Sequence, residues 1–132
     1  MRMLCGLAVG LLLLTAPAAA HEAGVRDGNL LLATCREDIR SADGLAPPTF
    51  GGGLCLGFVT GVADMHALYH TAYPETIPLF CKPEGLKVEQ AVRVVIRFLE
   101  THPEQLHFGA AVLITQALQE AFPCPSPPAR QR

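Results

Sequence analysis

The sequence has no tryptophan, few aromatic residues and little charge of either sign. Aromatic residues make up 6% of its 132 residues, and ten Lys and Arg against twelve Asp and Glu leave a formal net charge of −2. A nucleic-acid-binding surface needs excess positive charge and, for single strands, rings on which bases stack. The composition therefore argues against a nucleic-acid partner. Because 50% of the residues are hydrophobic, it also argues against a disordered chain, and the length allows one domain.

Long hydrophobic runs are also lacking, apart from one at the N-terminus. Residues 4–14 are uncharged and apolar, follow Arg2, and precede three alanines at positions 18–20. This order is typical of a secretory signal peptide, and the run has about half of the ~20 residues that span a bilayer, which disfavours a membrane anchor. No cysteine stands at the expected cleavage point, so a lipoprotein is not indicated. We predict a signal peptide over residues 1–20, cleavage before His21, a periplasmic location and no membrane association after cleavage.

Proline positions and helical periodicity predict an all-α fold. Prolines cluster at 47–48, 74–83, 103 and 123–128, and proline is excluded from helix interiors. Between these clusters apolar residues recur at helical spacing. The sequence predicts a single-domain bundle of about four helices over residues 21–124, followed by a disordered proline-rich tail at 125–132. The predicted helices span residues 27 or 29 to 40, 54–69, 86–100 and 103–122, with the three glycines at 51–53 in a loop.

The second predicted helix carries both an apolar stripe and two glycines. Gly57 and Gly61 stand four residues apart, which suggests either that a second backbone packs closely there or that two glycines are merely tolerated. The stripe expected to face the interior consists of Leu54, Phe58, Val62, Met65 and Tyr69.

Four cysteines remain after signal cleavage: Cys35, Cys55, Cys81 and Cys124. An even number in an oxidising compartment predicts two disulfides. The absence of any C-x-x-C spacing argues against a zinc ribbon or a thioredoxin-like site. Three pairings are possible. If the first two and the last two helices form antiparallel pairs, Cys35–Cys55 and Cys81–Cys124 are favoured.

The sequence contains no recognisable set of catalytic residues, so we do not expect an enzyme. Ser41 and Ser126 are the only serines and neither lies in a nucleophile elbow, while oxidised cysteines offer no thiolate. The spacing of His66 and His70 suits a metal on a helix, but Ala67 stands where a zinc protease has glutamate, and no third ligand follows at usable spacing. We therefore expect two surface histidines near a helix end, with no metal and no cofactor.

The order of several short motifs resembles one known family. The motifs are Cys55-x-Gly57-Phe58-x-x-Gly61, Phe80-Cys81-x-Pro83, Gln90-x-x-x-Val94-Val95-x-x-Phe98-Leu99, His102-Pro103-Glu104-x-Leu106-His107 and Ala117-Leu118-x-x-Ala121-Phe122-Pro123-Cys124. Together they resemble the Tai/Rap family of periplasmic immunity proteins. This resemblance implies a helical homodimer that binds and blocks a peptidoglycan amidase effector of a type VI secretion system. The alternative is a stand-alone periplasmic binding or acid-chaperone-like module.

The loop predicted at residues 71–85 is the candidate surface for such a partner. Pro74, Pro78 and Pro83 restrict its conformations and so reduce the entropy that is lost on docking. Tyrosine is a common interface anchor, and a glutamate can meet a protonated histidine in an amidase site. We therefore predict that Tyr73, Pro74 and Glu75 contact the partner; the alternative is that a helical face does so.

Overall fold

The computed structural model describes residues 25–125, which form four α-helices and one short 3-10 helix. The helices are α1 (Gly28–Ala42), α2 (Phe50–Ala72), α3 (Val88–Thr101), the 3-10 helix (Pro103–Gln105) and α4 (Ala110–Ala121). The all-α bundle is thus confirmed. The predicted signal peptide and residues 126–132 of the predicted tail lie outside the described residues. Within residues 25–125, no helix has both the length and the apolar character needed to cross a membrane.

Helix α2 begins four residues earlier than the sequence predicts, so the three glycines at 51–53 are helical. Thr49 caps the helix: its hydroxyl accepts a hydrogen bond from the Gly52 N–H at 2.9 Å and donates to Glu37 of α1 at 2.6 Å. A side chain at position 52 would begin 3.0 Å from the backbone of Asp38. The loop prediction is wrong here because the cap and the close approach of α1 and α2 outweigh the low helix propensity of glycine.

The fourth predicted helix is broken into two parts. Its start at Pro103 forms only a 3-10 turn, and α4 begins at Ala110. Between them the chain pairs with the start of α1: the Gly28 N–H donates to the Phe108 carbonyl at 3.2 Å, and the Ala110 N–H donates to the Arg26 carbonyl at 3.0 Å. The continuous helix predicted over 103–122 is wrong because these long-range backbone hydrogen bonds replace helical ones.

The core lies where α1, α3 and α4 meet the first half of α2, and both disulfides fasten it. Cys35 and Cys55 are bonded across α1 and α2, and Cys81 and Cys124 join the loop after α2 to the end of α4. Both favoured pairings are confirmed. The buried hydrophobic residues are Val25, Leu31, Cys35, Cys55, Val59, Phe80, Ala91, Val92, Val95, Phe98, Leu99, Ala110, Leu113, Ile114, Ala117 and Leu118.

The second half of α2 extends past its neighbours. Helix α2 has 23 residues, whereas α1 has 15 and α4 has 12. Met65 and Tyr69, which the apolar stripe places inside, are exposed, so that part of the prediction is wrong. A side chain added at Gly57 or Gly61 would meet no atom of the structure within 4 Å, and the close helix contact suggested by their spacing is not formed in the described part of the chain.

Candidate partner-binding surface

Exposed apolar side chains concentrate on the second half of α2 and on the loop that follows it. On α2, Met65 is 64% exposed, and Leu68 and Tyr69 are also exposed. In the loop, Ile77 is 83% exposed and Leu79 is exposed beside it. Single exposed apolar residues are ordinary, but a contiguous group on one side of a small domain indicates an interaction surface.

All of these residues except Leu68 border a groove of about 690 Å³ between α2, the loop and α4. One wall is α2, the second is the loop over residues 76–79, and Ala111 and Thr115 of α4 form the third. Apolar side chains dominate, while two histidines, two threonines and the hydroxyl of one tyrosine supply the polar groups. We call this feature the α2–loop groove; it is lined by Phe58, Gly61, Val62, Met65, His66, Tyr69, His70, Thr76, Ile77, Leu79, Ala111 and Thr115.

The far end of the loop is fixed to the body of the protein. Phe80 is 3% exposed and belongs to the core. The Cys81 N–H donates to the Phe122 carbonyl at 2.8 Å, and Cys81 is disulfide-bonded to Cys124. Because a cross-link, a buried ring and a backbone hydrogen bond all act within two residues, the loop is held firmly where it leaves the groove.

His66 and His70 hold the loop against α2, His66 at Leu79 and Phe80 and His70 at Thr76. The Leu79 N–H donates to His66 Nε2 at 3.2 Å, and the His66 ring stacks on Phe80 with centroids 3.9 Å apart. Burial and then the neighbouring His70 lower the pKa of His66 from its ordinary value. Both histidines reach the surface, as expected, but they are half-buried there because their rings contact the loop. Their i, i+4 spacing reflects a shared contact with the loop, which residue spacing within α2 alone does not reveal.

The predicted contact residues Tyr73, Pro74 and Glu75 lie in a tight turn at the end of α2. All three are exposed, Tyr73 to 51%. The Thr76 hydroxyl and N–H both donate to the Tyr73 carbonyl, at 2.7 and 3.1 Å, and these hydrogen bonds close the turn. Tyr73 is 5.0 Å from Tyr69, ring to ring, and so stands beside the α2–loop groove, whereas Pro74 and Glu75 do not line it.

Sequence reasoning missed Ile77 and Leu79, the two exposed apolar residues of the loop. The available signal was the run Thr76-Ile77-Pro78-Leu79, in which apolar residues flank a proline in a segment without helical periodicity. Such residues have no helix face on which to be buried. Their position in a loop therefore predicts that they are exposed. Only the fold shows that they line the same groove as Met65 and Tyr69.

The chemistry of the site suits binding. Across residues 25–125, no group of three or more histidine, cysteine and acidic side chains is arranged to hold a metal ion. All four cysteines in this range are oxidised and so present no thiolate. An apolar centre with polar groups at its edge is the usual arrangement of a protein–protein contact.

Comparison with known proteins agrees with this binding role. The family model described as Rap1a immunity proteins matches residues 27–124, which include every helix described within residues 25–125 and both disulfides. Neither the search of curated proteins nor that of solved structures finds a match. A match over most of the chain indicates immunity against a secreted effector, exerted through a protein partner. The chain belongs to the Rap1a family of immunity proteins.

Proposed function

We propose that this protein is a periplasmic immunity protein that binds and blocks a peptidoglycan amidase effector of a type VI secretion system. The observation that carries the proposal is the family match over residues 27–124. The predicted signal peptide and the two disulfides support a periplasmic location, because disulfides persist in oxidising compartments. In this proposal the protein acts by binding alone and catalyses no reaction.

The proposed mechanism is occlusion of the amidase groove by the turn at residues 73–75. An amidase that cleaves an extended peptide offers a cleft, and a projecting segment on a rigid base fits such a cleft. The turn projects from the end of α2, and the Cys81–Cys124 disulfide holds the loop behind it. Since the loop is already ordered, less conformational entropy is lost on docking.

The chemistry of the turn suits a Cys/His active site. Tyr73 offers a large, exposed ring of the kind that dominates many protein interfaces. Glu75 is exposed at the turn and can pair with a protonated histidine of the enzyme. The adjacent Met65, Ile77 and Leu79 add apolar area around this polar contact.

We also propose a homodimer, as the resemblance to the Tai/Rap family implies. Leu45 and Phe50 are strongly exposed at the opposite end of α2. With a rise of about 1.5 Å per residue, Phe50 lies about 20 Å along the helix from Met65. A second apolar region at this distance supports a subunit contact that is separate from the effector-binding surface.

Substitution of the turn tests the occlusion mechanism. In cells that produce the cognate peptidoglycan amidase in the periplasm, the wild-type protein should restore growth. Tyr73→Ala/Glu75→Ala removes the aromatic anchor and the carboxylate, so we expect at least about tenfold weaker binding of the purified amidase and poorer growth. Calorimetry with the purified amidase measures the affinity, and circular dichroism checks the fold.

The matched control is Glu104→Ala/His107→Ala. It also removes one exposed carboxylate and one exposed ring, but from the segment between α3 and α4. This control should protect cells as wild type does. Full protection by the Tyr73/Glu75 variant would remove the turn from the mechanism, and equal loss in both variants would show a general effect of surface change.

A further inference from the structure

We propose that His66 is a pH-sensitive latch, whose neutral ring holds the loop over residues 74–79 against α2 and whose protonation releases this segment and opens the α2–loop groove. The latch is a property of the free protein. It goes beyond the proposed function because it does not depend on which partner binds.

The polarity of one hydrogen bond makes the latch sensitive to protons. The Leu79 N–H points at His66 Nε2 across 3.2 Å, and a backbone N–H can only donate. Nε2 must therefore accept, which requires a ring that carries its single proton on Nδ1. Protonation places a second N–H on Nε2, so that two donors face each other. The contact that holds Leu79 then becomes repulsive.

His70 contacts the same loop with the opposite polarity. The Thr76 hydroxyl donates its only proton to the Tyr73 carbonyl at 2.7 Å and lies 3.1 Å from His70 Nδ1. The Thr76 oxygen must then accept from Nδ1, which carries a proton in both the neutral and the charged ring. Protonation of His70 therefore preserves its bond to the loop, and His66 is the sensitive member of the pair.

The surroundings of His66 favour its neutral form. From α2, His70 lies 4.6 Å away, ring to ring; the loop contributes the ring of Phe80, and α4 contributes Ala111 and Thr115 across the groove. The carboxylates nearest in sequence, Asp64 and Glu75, are both exposed. Burial first, and the charge of His70 second, lower the pKa of His66, and among residues 25–125 no facing anion offsets them.

The sign of the pH effect follows from linkage. A histidine with a lowered pKa in the attached state binds a proton more readily once the loop has detached. Acid therefore favours detachment: the latch is complete above about pH 6.5 and is lost as the pH falls through the lowered pKa. As the pH falls from the pKa of His66 in the detached loop to its lowered pKa in the attached loop, the ratio of detached to attached loop rises by up to about tenfold per pH unit. Below the lowered pKa this ratio is constant.

The opening is limited to one segment of the chain. Cys81 stays bonded to Cys124, which fixes the far end, and α2 ends at Ala72, which fixes the near end. Release of Leu79 moves the loop wall of the groove away from α2, while Phe80 stays in the core beside the fixed Cys81. Acid thus changes the apolar surface that a partner meets without unfolding the bundle.

Nuclear magnetic resonance of the free protein between pH 4.5 and 7.5 tests the latch. We expect the Leu79 amide and the Phe80 ring signals to shift with the same midpoint as the His66 ring, while core signals such as Leu113 stay constant. In His66→Gln, an amide oxygen can still accept from Leu79 but cannot titrate, so the loop signals should remain constant. A lower hydrogen-exchange protection factor of the Leu79 amide below this midpoint shows detachment rather than titration in place, even if this variant does not fold.

The matched control is His102→Gln. His102 also stacks on a phenylalanine, Phe98, at 4.3 Å, but its Nδ1 faces the Phe98 carbonyl at 2.9 Å and so donates in either charge state. This variant should keep the wild-type midpoint at Leu79. Constant Leu79 signals while the His66 ring titrates, or an unchanged loop transition in His66→Gln, would overturn the latch. Neither result bears on effector binding, which is measured separately.

Discussion

Cys35→Ala/Cys55→Ala should lower the free energy of unfolding by about 4 kcal/mol. The chain-entropy model assigns about 3 kcal/mol to a cross-link that closes a loop of about 20 residues. Both sulfurs are also completely buried between α1 and α2, and their loss leaves unfilled space in the core. Since domains of this size are stable by about 5–15 kcal/mol, this change removes a large part of the total.

Denaturant unfolding of the oxidised protein and the variant measures this effect. The useful control is Cys81→Ala/Cys124→Ala, which removes a cross-link of longer sequence separation but at half-buried positions. That variant should also lose stability, by about 3–4 kcal/mol in the same model, and should alone free the loop beside the α2–loop groove. A decrease below about 1 kcal/mol for the Cys35/Cys55 variant would contradict the place of this disulfide in the core.

Gly28→Ala should destabilise the protein by about 2–3 kcal/mol, whereas Gly57→Ala should stabilise it by about 1 kcal/mol. A methyl group at position 28 would lie 2.6 Å from Leu113 Cδ1 and 2.9 Å from the Cα and carbonyl oxygen of Leu106. The Leu106 backbone must then move, and with it the hydrogen bond between the Gly28 N–H and the Phe108 carbonyl. At position 57, inside α2, the same methyl group meets nothing within 4 Å and removes only the entropic cost of glycine.

The two glycine variants are expected to change the free energy of unfolding in opposite directions, which makes the comparison stringent. Both replace glycine by alanine, so their effects on unfolded-state entropy largely cancel. Thermal or urea unfolding then measures the difference in folded-state packing at the two positions. Equal stabilisation of both variants would contradict the close packing of the α1 start against the segment before α4. Destabilisation at Gly57 would instead reveal a neighbour for that face of α2.

Local sequence patterns predicted the helices, and the assumption that neighbouring helices pack antiparallel predicted the disulfide pairings. Proline positions set the connections, and antiparallel neighbours brought Cys35 to Cys55 and Cys81 to Cys124. The early start of α2 could also be predicted from the sequence, since Thr49 after two prolines is a good N-cap. It was missed because three successive glycines have poor helix propensity when their neighbours in space are not considered.

The remaining features depend on contacts between distant residues. The break before α4 is made by backbone hydrogen bonds to residues 26 and 28, about 80 positions earlier in the chain. The contact of His66 with Leu79 joins a helix to the loop that folds back on it, and the spacing of His66 and His70 indicates only a shared helix face. Exposure of Met65 depends on where α1 and α4 end, which no pattern within α2 encodes.

Inhibition of the amidase is the most direct test of the central claim. The purified cognate amidase is mixed with peptidoglycan, and the release of amine groups from cleaved peptides is followed while this protein is added. We predict that amidase activity falls linearly with the amount of this protein added and reaches zero at one protomer per enzyme molecule. An amidase that stays fully active with a large excess of this protein would contradict the proposed function; if the protein then suppressed aggregation of unrelated proteins in acid, the chaperone-like alternative would take its place.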